Sequence, residues 1–374
     1  MDKGIQINLI NQPSENLSTA SQWQLMSRKF TKHRLAVWSG SLIIALYTCA
    51  LFCEFISPYG LDEKNIDYVY APPQRLHWVG PNGIHLIPFV YGLKGIRHPT
   101  TLRKIYIEDQ TKMFPLRLWG QGSSYNFLGI FKTNIHLFNV DKGGTLFLLG
   151  TDSLGRDLFT RILYGARISL TIGLVGVGLT FIFGLTVGVI SGYFGGWIDN
   201  AIQRLIEILR SFPSIPLWMA LSAALPSDWS PLQIYFGITV VLSFLGWTGL
   251  ARVVRGKILA LREEDYAIAA EVSGVSKQRI MTHHLLPGFT SHIVVSLTLA
   301  LPGMILGETS LSFLGLGLRS PITSWGVLLQ EAQNVQAVAM QPWLLTPAIF
   351  VIIAVLAFNF VGDGLRDAAD PYDR

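Results

Sequence analysis

Residues 265–287 read DYAIAAEVSGVSKQRIMTHHLLP, and this stretch decides how the rest of the chain is understood. It is a polar run between strongly apolar segments, and its pattern predicts two short helices. The first, over about residues 263–272, is rich in alanine (Ala267, Ala269, Ala270), the best helix former and one whose small side chain permits close approach. Gly274 suits the left-handed position just past a helix end. Ser276 is placed to cap a second, basic helix that is expected to stop near Pro287. A small-faced helix, a glycine elbow and a basic helix together describe a docking knuckle for another protein.

The flanks of the knuckle are membrane-like. Of 374 residues, 50% are hydrophobic and 14% charged, with a mean hydropathy of +0.41. Soluble domains carry about 25% charged residues, so the composition indicates a polytopic membrane protein. The net charge of +5 is accounted for by basic cytoplasmic loops facing anionic membrane lipid. No basic-aromatic pattern points to nucleic acid. Cys49 and Cys53 lie four residues apart in one apolar run, a geometry unsuited to a disulfide, and are read as packing residues.

The expected fold class is an all-α polytopic membrane protein with six transmembrane helices and an extracytoplasmic insertion after the first. Residues 1–35 form a cytoplasmic N-terminal tail, loose over 1–27, whose basic end (Arg28, Lys29, Lys32, Arg34) places the N-terminus inside. The first span covers 36–56, about the 20 residues needed for a 30 Å core, with Glu54 reaching the headgroups. It is too long for a signal h-region and is read as retained. Residues 57–149 form the insertion, with short β-like pieces such as 145–149. Its histidines (His77, His85, His98, His136) lack metal-ligand spacing, and no metal site is expected. The core, 150–374, holds five further spans near 168–190, 201–225, 232–253, 290–314 and 344–361, with the knuckle in the loop 262–288. Pro213 and Pro216 break or kink the third of these six spans. Gly173/Gly176 and Gly184/Gly188 suit close helix packing.

Three more stretches stand out. Gly150-Thr151-Asp152-Ser153-Leu154-Gly155-Arg156-Asp157, followed by Arg161 and Arg167, favours side-chain caps and an Arg–carboxylate pair around a tight turn. It is read as bracing at the outer rim, with contact to substrate or binding protein as the alternative. Residues 307–317 (GETSLSFLGLG) are followed by Ser324-Trp325-Gly326. Glu308 lies about 19 residues beyond Phe289, or about 28 Å along a helix, close to the outer boundary. A carboxylate there must face the bundle interior or water. It is read as a structural pairing partner or as a gate residue sensing a positively charged peptide terminus. Gly362-Asp363-Gly364-Leu365-Arg366-Asp367, continuing to Asp370-Pro371, is expected to be a short amphipathic helix at the inner interface.

The four stretches resemble, in order, segments of ABC importer permeases of the dipeptide/oligopeptide/nickel type. The knuckle matches the "EAA" loop of that family through Asp265, Tyr266, Ala269, Ala270, Gly274, His284, Leu286 and Pro287, with Ile268 where the naming acidic residue stands. Thr151, Asp152, Arg156, Asp157 and Glu308 are the outer-rim or gate candidates. The resemblance implies a type I importer permease in a bacterial inner membrane, both termini cytoplasmic. It further implies a second permease subunit, two cytoplasmic ABC ATPase domains and an extracytoplasmic substrate-binding protein. Di- or oligopeptides are the implied substrate, with nickel or another metal chelate as the alternative. The insertion contacts the binding protein, covers the pore mouth, or is tolerated bulk.

No catalytic residue is expected in this chain. The nearest approach to a phosphate loop, Ala251-Arg252-Val253-Val254-Arg255-Gly256-Lys257-Ile258, lacks the first glycine and the magnesium-holding Ser/Thr. No cofactor is expected here; ATP and magnesium belong to the partner ATPases. His283 and His284 point about 100° apart on a helix and suit no shared metal. A channel or ion-coupled transporter is the other class, but it usually shows midplane charges and internal repeats. Here charges cluster at span ends and no repeat is seen.

Overall fold

The computed structural model describes residues 22–369 except 82, 98, 100–103, 128, 142 and 227. Residues 1–21 of the expected tail, His98, and Asp370-Pro371 of the last motif lie outside the described residues. Within them, the end of the tail is ordered: α1 (Gln22–Lys32) buries Met26 and sets Phe30 beside Gly364 near the C-terminal end of the chain. Its apolar face gives this part of the tail something to pack, which its polar composition concealed.

Span one is α2 (Arg34–Leu51), continued by the short α3 (Cys53–Ile56). Glu54 has a partner within the chain. Both its oxygens accept from Arg167, at 2.6 and 2.7 Å, and the same guanidinium donates to the Ala50 and Leu51 carbonyls at the end of α2. A charged donor fork thus satisfies helix-end carbonyls and a carboxylate together. Cys49 and Cys53 are free thiols, Cys53 buried.

The insertion is the exception to an all-α architecture. It forms an antiparallel sheet of β1 (His77–Gly80), β2 (Gly83–Arg97), β3 (Lys104–Phe127) and β4 (Phe131–Val140), in that order. The 24-residue β3 pairs with β2 through Lys104–Pro115 and with β4 through Leu116–Phe127. Two hairpins are therefore joined end to end and point in opposite directions, with Pro115, which has no N–H, at the changeover. Residues 145–149, expected as β-like, join no strand. Leu146 and Phe147 are fully buried, and the amides of 146 and 147 donate to Tyr59 Oη and Gln74 Oε1 instead of a ladder.

Helix α4 (Leu158–Phe194) starts well before the expected residue 168, because Asp157 caps it. Next come α5 (Gly196–Ser211), α6 (Ser214–Ala223) and α7 (Pro231–Leu261), the last opened by a Ser230–Gln233 capping box. A continuous third span does not form. Phe212 is extended (φ −84°, ψ 138°), as a residue before proline prefers, and Pro213 separates α5 from α6. The pair still runs antiparallel to α7. Asp199 meets Arg255, whereas Leu225 lies against Gly237, a stretch of about 27 Å along α7.

The knuckle helices α8 (Asp265–Val272) and α9 (Lys277–Arg279) lead into α10 (Thr290–Phe313). Short α11 (Trp325–Leu329) and α12 (Val335–Met340) precede α13 (Thr346–Ala369), which absorbs the expected separate helix at 362–367. Among the described residues, five helical runs are each long and apolar enough to cross a membrane. The helical polytopic class therefore holds for the bundle.

The most extensive helix pair is α4 with α7. Gly184, Gly188 and Gly192 line up at i, i+4, i+8, and a Cβ on Gly188 would sit 2.7 Å from the Ala251 carbonyl oxygen. Only glycine lets these backbones approach so closely. Leu170, Ile172, Leu242, Ile305 and Trp325 fill the middle of the bundle.

Candidate functional site

The knuckle is built from local rules. Val275 N–H donates to Ala270 O at 3.1 Å and Gly274 N–H to Glu271 O at 3.0 Å, with Gly274 at φ +78°. This is the Schellman ending of a helix, and Val275 and Ala270 both pack against the apolar cluster beneath it. Ser276 occupies the cap position of α9 with extended backbone, but its side chain makes no capping bond. The second helix does not stop at Pro287. A π turn over Ile280–Leu285 and a 3₁₀ turn over Leu286–Phe289 carry it into α10. The wide turn followed by a tight one takes up the donor that proline lacks. Lys277 to Phe313 is thus one 37-residue helical run.

The two faces of α8 differ. Ala267 is buried with Val254, Ile258, Ile280, Leu285 and Phe289. Asp265, Tyr266, Ile268, Ala269 and Val272 are exposed, Val272 at 83%. Ala270, His284 and Leu286 are half-buried; Gly274 and Pro287 are exposed. An exposed apolar strip on a short helix, seated on a packed base, is a surface awaiting a partner.

That base is bolted to its neighbours by residues the sequence marked only as positive charge. Arg255 holds Asp199 through two bonds of 2.5 Å, and Ser191 and Gln203 complete the cluster. Arg262 donates to the Gly192 and Tyr193 carbonyls at the end of α4, where a cation suits the helix dipole. The solitary Asp199 after Gly195-Gly196 was the one sequence signal for this cluster; its partner lies 56 residues away.

At the other end of α4, Asp152 organises the turn. Its Oδ1 accepts from the Leu154 and Arg156 amides at 2.8 and 2.9 Å. Its Oδ2 accepts from Arg156 Nε at 2.7 Å and from Arg161. Glu331, just past α11, accepts from the Ser153 amide at 3.2 Å and lies 3.8–4.0 Å from the same two arginines. Thr151 accepts from the Ala71 amide at 2.7 Å and donates to the Tyr68 carbonyl, tying the turn to the insertion. Asp152, Thr151 and Asp157 are all buried.

Asp157 accepts from the Thr160 amide at 2.8 Å as the cap of α4. Burial pushes its carboxyl up to about 7, with the Thr160 contacts opposing the push and the Asp152 charge adding to it. The folded chain therefore keeps a proton that the unfolded chain releases between about pH 4 and 7. Stability falls as pH rises through that window, by up to about 1.4 kcal/mol per pH unit. Asp157→Asn keeps a capping oxygen and removes the titration. Thermal midpoints of the purified variant are expected to vary less between pH 4 and 7 than those of the parent, and an unchanged slope would contradict the assignment.

Glu308 is fully buried, so no part of it meets a peptide terminus in this conformation. Ser169, Ser312 and Ser324 donate to it at 3.1, 2.8 and 2.6 Å. Each serine in turn accepts from a backbone amide, of Trp325, Leu318 and Val327 respectively. One carboxylate thereby joins α4, α10 and the loop leading into α11. Ser312, four residues on, was visible in the sequence; Ser169 and Ser324 are brought in only by the fold. Among the described residues no cluster of three metal-ligating side chains is found.

The bundle is that of a polytopic membrane protein, and sequence comparison places it among membrane transport components. The profile of the binding-protein-dependent transport system inner membrane component family matches residues 184–372, and that of the N-terminal TM domain of oligopeptide transport permease C matches residues 21–73. The chain belongs to the binding-protein-dependent transport system inner membrane component family. It is 43% identical over 223 residues to the dipeptide transport system permease protein DppC of Alkalihalophilus pseudofirmus, covering 59% of this chain and 71% of that one. It is 42% identical over 226 residues to the oligopeptide transport system permease protein OppC of Haemophilus influenzae, covering 60% and 70%. The glutathione transport system permease protein GsiD of Pectobacterium atrosepticum is 40% identical over 223 residues, covering 60% and 72%.

Proposed function

We propose that this chain is one of two permease subunits of an ATP-driven importer of short peptides in a bacterial inner membrane, with both termini cytoplasmic. The observation that carries the reading is the exposed apolar strip of α8, on a knuckle continuous with α10, in a chain of this transport family. The names of the relatives (dipeptide, oligopeptide, glutathione) favour a peptide over a nickel chelate as cargo.

In this reading two cytoplasmic ATPase domains seat the knuckles of this chain and of a second permease. An extracytoplasmic binding protein delivers the peptide. The chain performs no chemistry; ATP and magnesium stay on the ATPases. Closure of the ATPase pair moves α8, and the helical run from Lys277 to Phe313 carries that motion to the far face. The Asp199–Arg255 and Arg262 contacts make α4 and α7 follow. Asp152 and Glu308 hold the outer ends of α4, α10 and α11 together, so that they move as one body. ATP then shifts the population between inward- and outward-open arrangements.

Purification of the tagged chain in mild detergent tests this. The expected co-purifying proteins are a second permease, ATPase subunits and a binding protein whose bound ligand is a short peptide. A binding protein loaded with a nickel chelate would overturn the substrate, and absence of any ATPase would overturn the coupling.

A further inference from the structure

The two hairpins of the insertion differ in chemistry. The β2–β3 hairpin carries Lys94, Arg97, Lys104, Glu108, Asp109 and Lys112, whereas the β3–β4 hairpin carries Arg117 at its base and, over residues 118–138, one formal charge, Lys132. The apolar side chains of this second hairpin are not packed away. Leu118 is 69% exposed, Trp119 67%, Ile130 78% and Phe131 56%. Exposed apolar side chains on a hairpin with so little charge mark a surface suited to burial.

Its position supplies the reason. The Phe127 ring stacks on Phe52, the residue that joins α2 to α3, at 5.9 Å, and Phe131 packs on Phe127 at 5.3 Å. Trp119 packs on Phe55 at 5.2 Å. The base of the hairpin lies higher, where Phe138 meets Phe159 near the start of α4. Arg167 marks the plane of the span-one end through its bond to Leu51 O. Phe159 is eight residues earlier on the same helix, about 12 Å further from the bilayer. The hairpin therefore descends from its base to its tip, and the exposed tip continues the apolar belt of span one.

We propose that the β3–β4 hairpin inserts its tip into the bilayer leaflet on the insertion side, with Ile130 and Phe131 among the acyl chains. Trp119 sits at the headgroup level, where indole rings are favoured. The occupant is lipid because the tip is contiguous with a surface that lipid already covers. The hairpin then acts as a second anchor that fixes the tilt of the insertion over the bundle, independent of what the transporter carries.

The test uses the full chain in nanodiscs of phosphatidylcholine and phosphatidylglycerol. A nitroxide is attached to Ile130→Cys, and separately to Lys94→Cys, in a Cys49→Ser/Cys53→Ala background. The label at 130 is expected to collide more with oxygen than with a water-soluble nickel chelate, and the label at 94 to show the reverse. Preference for the nickel chelate at 130 would overturn the proposal. So would shielding from both reagents, which would mean a protein partner covers the tip. A second measurement keeps the native cysteines: quenching of tryptophan fluorescence by lipid brominated near the headgroup is expected to fall in Trp119→Phe. Unchanged quenching in that variant would also overturn the proposal.

Discussion

Replacing Asp152 with alanine is expected to destabilise the protein by about 3–5 kcal/mol, the cost of leaving buried charges without their partner. Both Arg156 and Arg161 aim at Asp152, and Arg161 is almost fully buried. Two backbone amides, of Leu154 and Arg156, lose their acceptor in the same step. Glu331 stands within 4.0 Å of both arginines and recovers part of the loss, which keeps the expectation below the sum of the separate bonds. Asp152→Asn retains an acceptor for the amides and is expected to lose less. Thermal unfolding of the two purified variants separates the terms. Equal midpoints for Asp152→Ala and the parent would show that the turn is not braced by this carboxylate.

Gly274→Asp is expected to leave folding nearly intact and abolish coupled transport. Within the chain, a Cβ at 274 meets nothing within 4 Å. The intrachain cost is therefore the left-handed conformation alone, about 1 kcal/mol and least for Asp and Asn. Steric clash inside the elbow has no basis in the structure. Any large effect must arise on the partner's surface, where a clash or an unpaired carboxylate worth at least about 1.4 kcal/mol weakens docking tenfold or more. Gly274→Asn, with the same shape and no charge, is expected to fall between the two. Membrane insertion is read from yield and monodispersity, coupling from ATP-dependent uptake in proteoliposomes. Full uptake by Gly274→Asp would remove the elbow from the docking surface.

The legible parts of this protein were those governed by local rules. Alanine content and Gly274 announced α8 and its Schellman ending, Pro213 announced the break between α5 and α6, and Asp152 beside Arg156 announced their pair. Where the reading failed, a longer-range term won. Pro287 looked like a stop, but the π turn before it lets the run continue into α10. Glu54 gave no sign of its partner, Arg167, which reaches it from 113 residues away. The insertion looked like loop with fragments of strand. Its long ribbon is held by cross-strand register and by aromatic rings stacked on the end of span one, neither of which shows as simple alternation along β3. The serines around Glu308 belong to the same group: three ordinary residues until folding aims them at one carboxylate.

The central claim is that the chain moves peptides because force enters at residues 265–287 from an ATP-hydrolysing partner. The most direct measurement is uptake of a radiolabelled dipeptide into proteoliposomes. These hold the full complex, with binding protein outside and no ion gradient across the membrane. The account predicts accumulation that requires ATP on the knuckle side and survives proton and sodium ionophores. Accumulation driven by an imposed proton or sodium gradient without ATP would contradict it and place the chain among ion-coupled transporters.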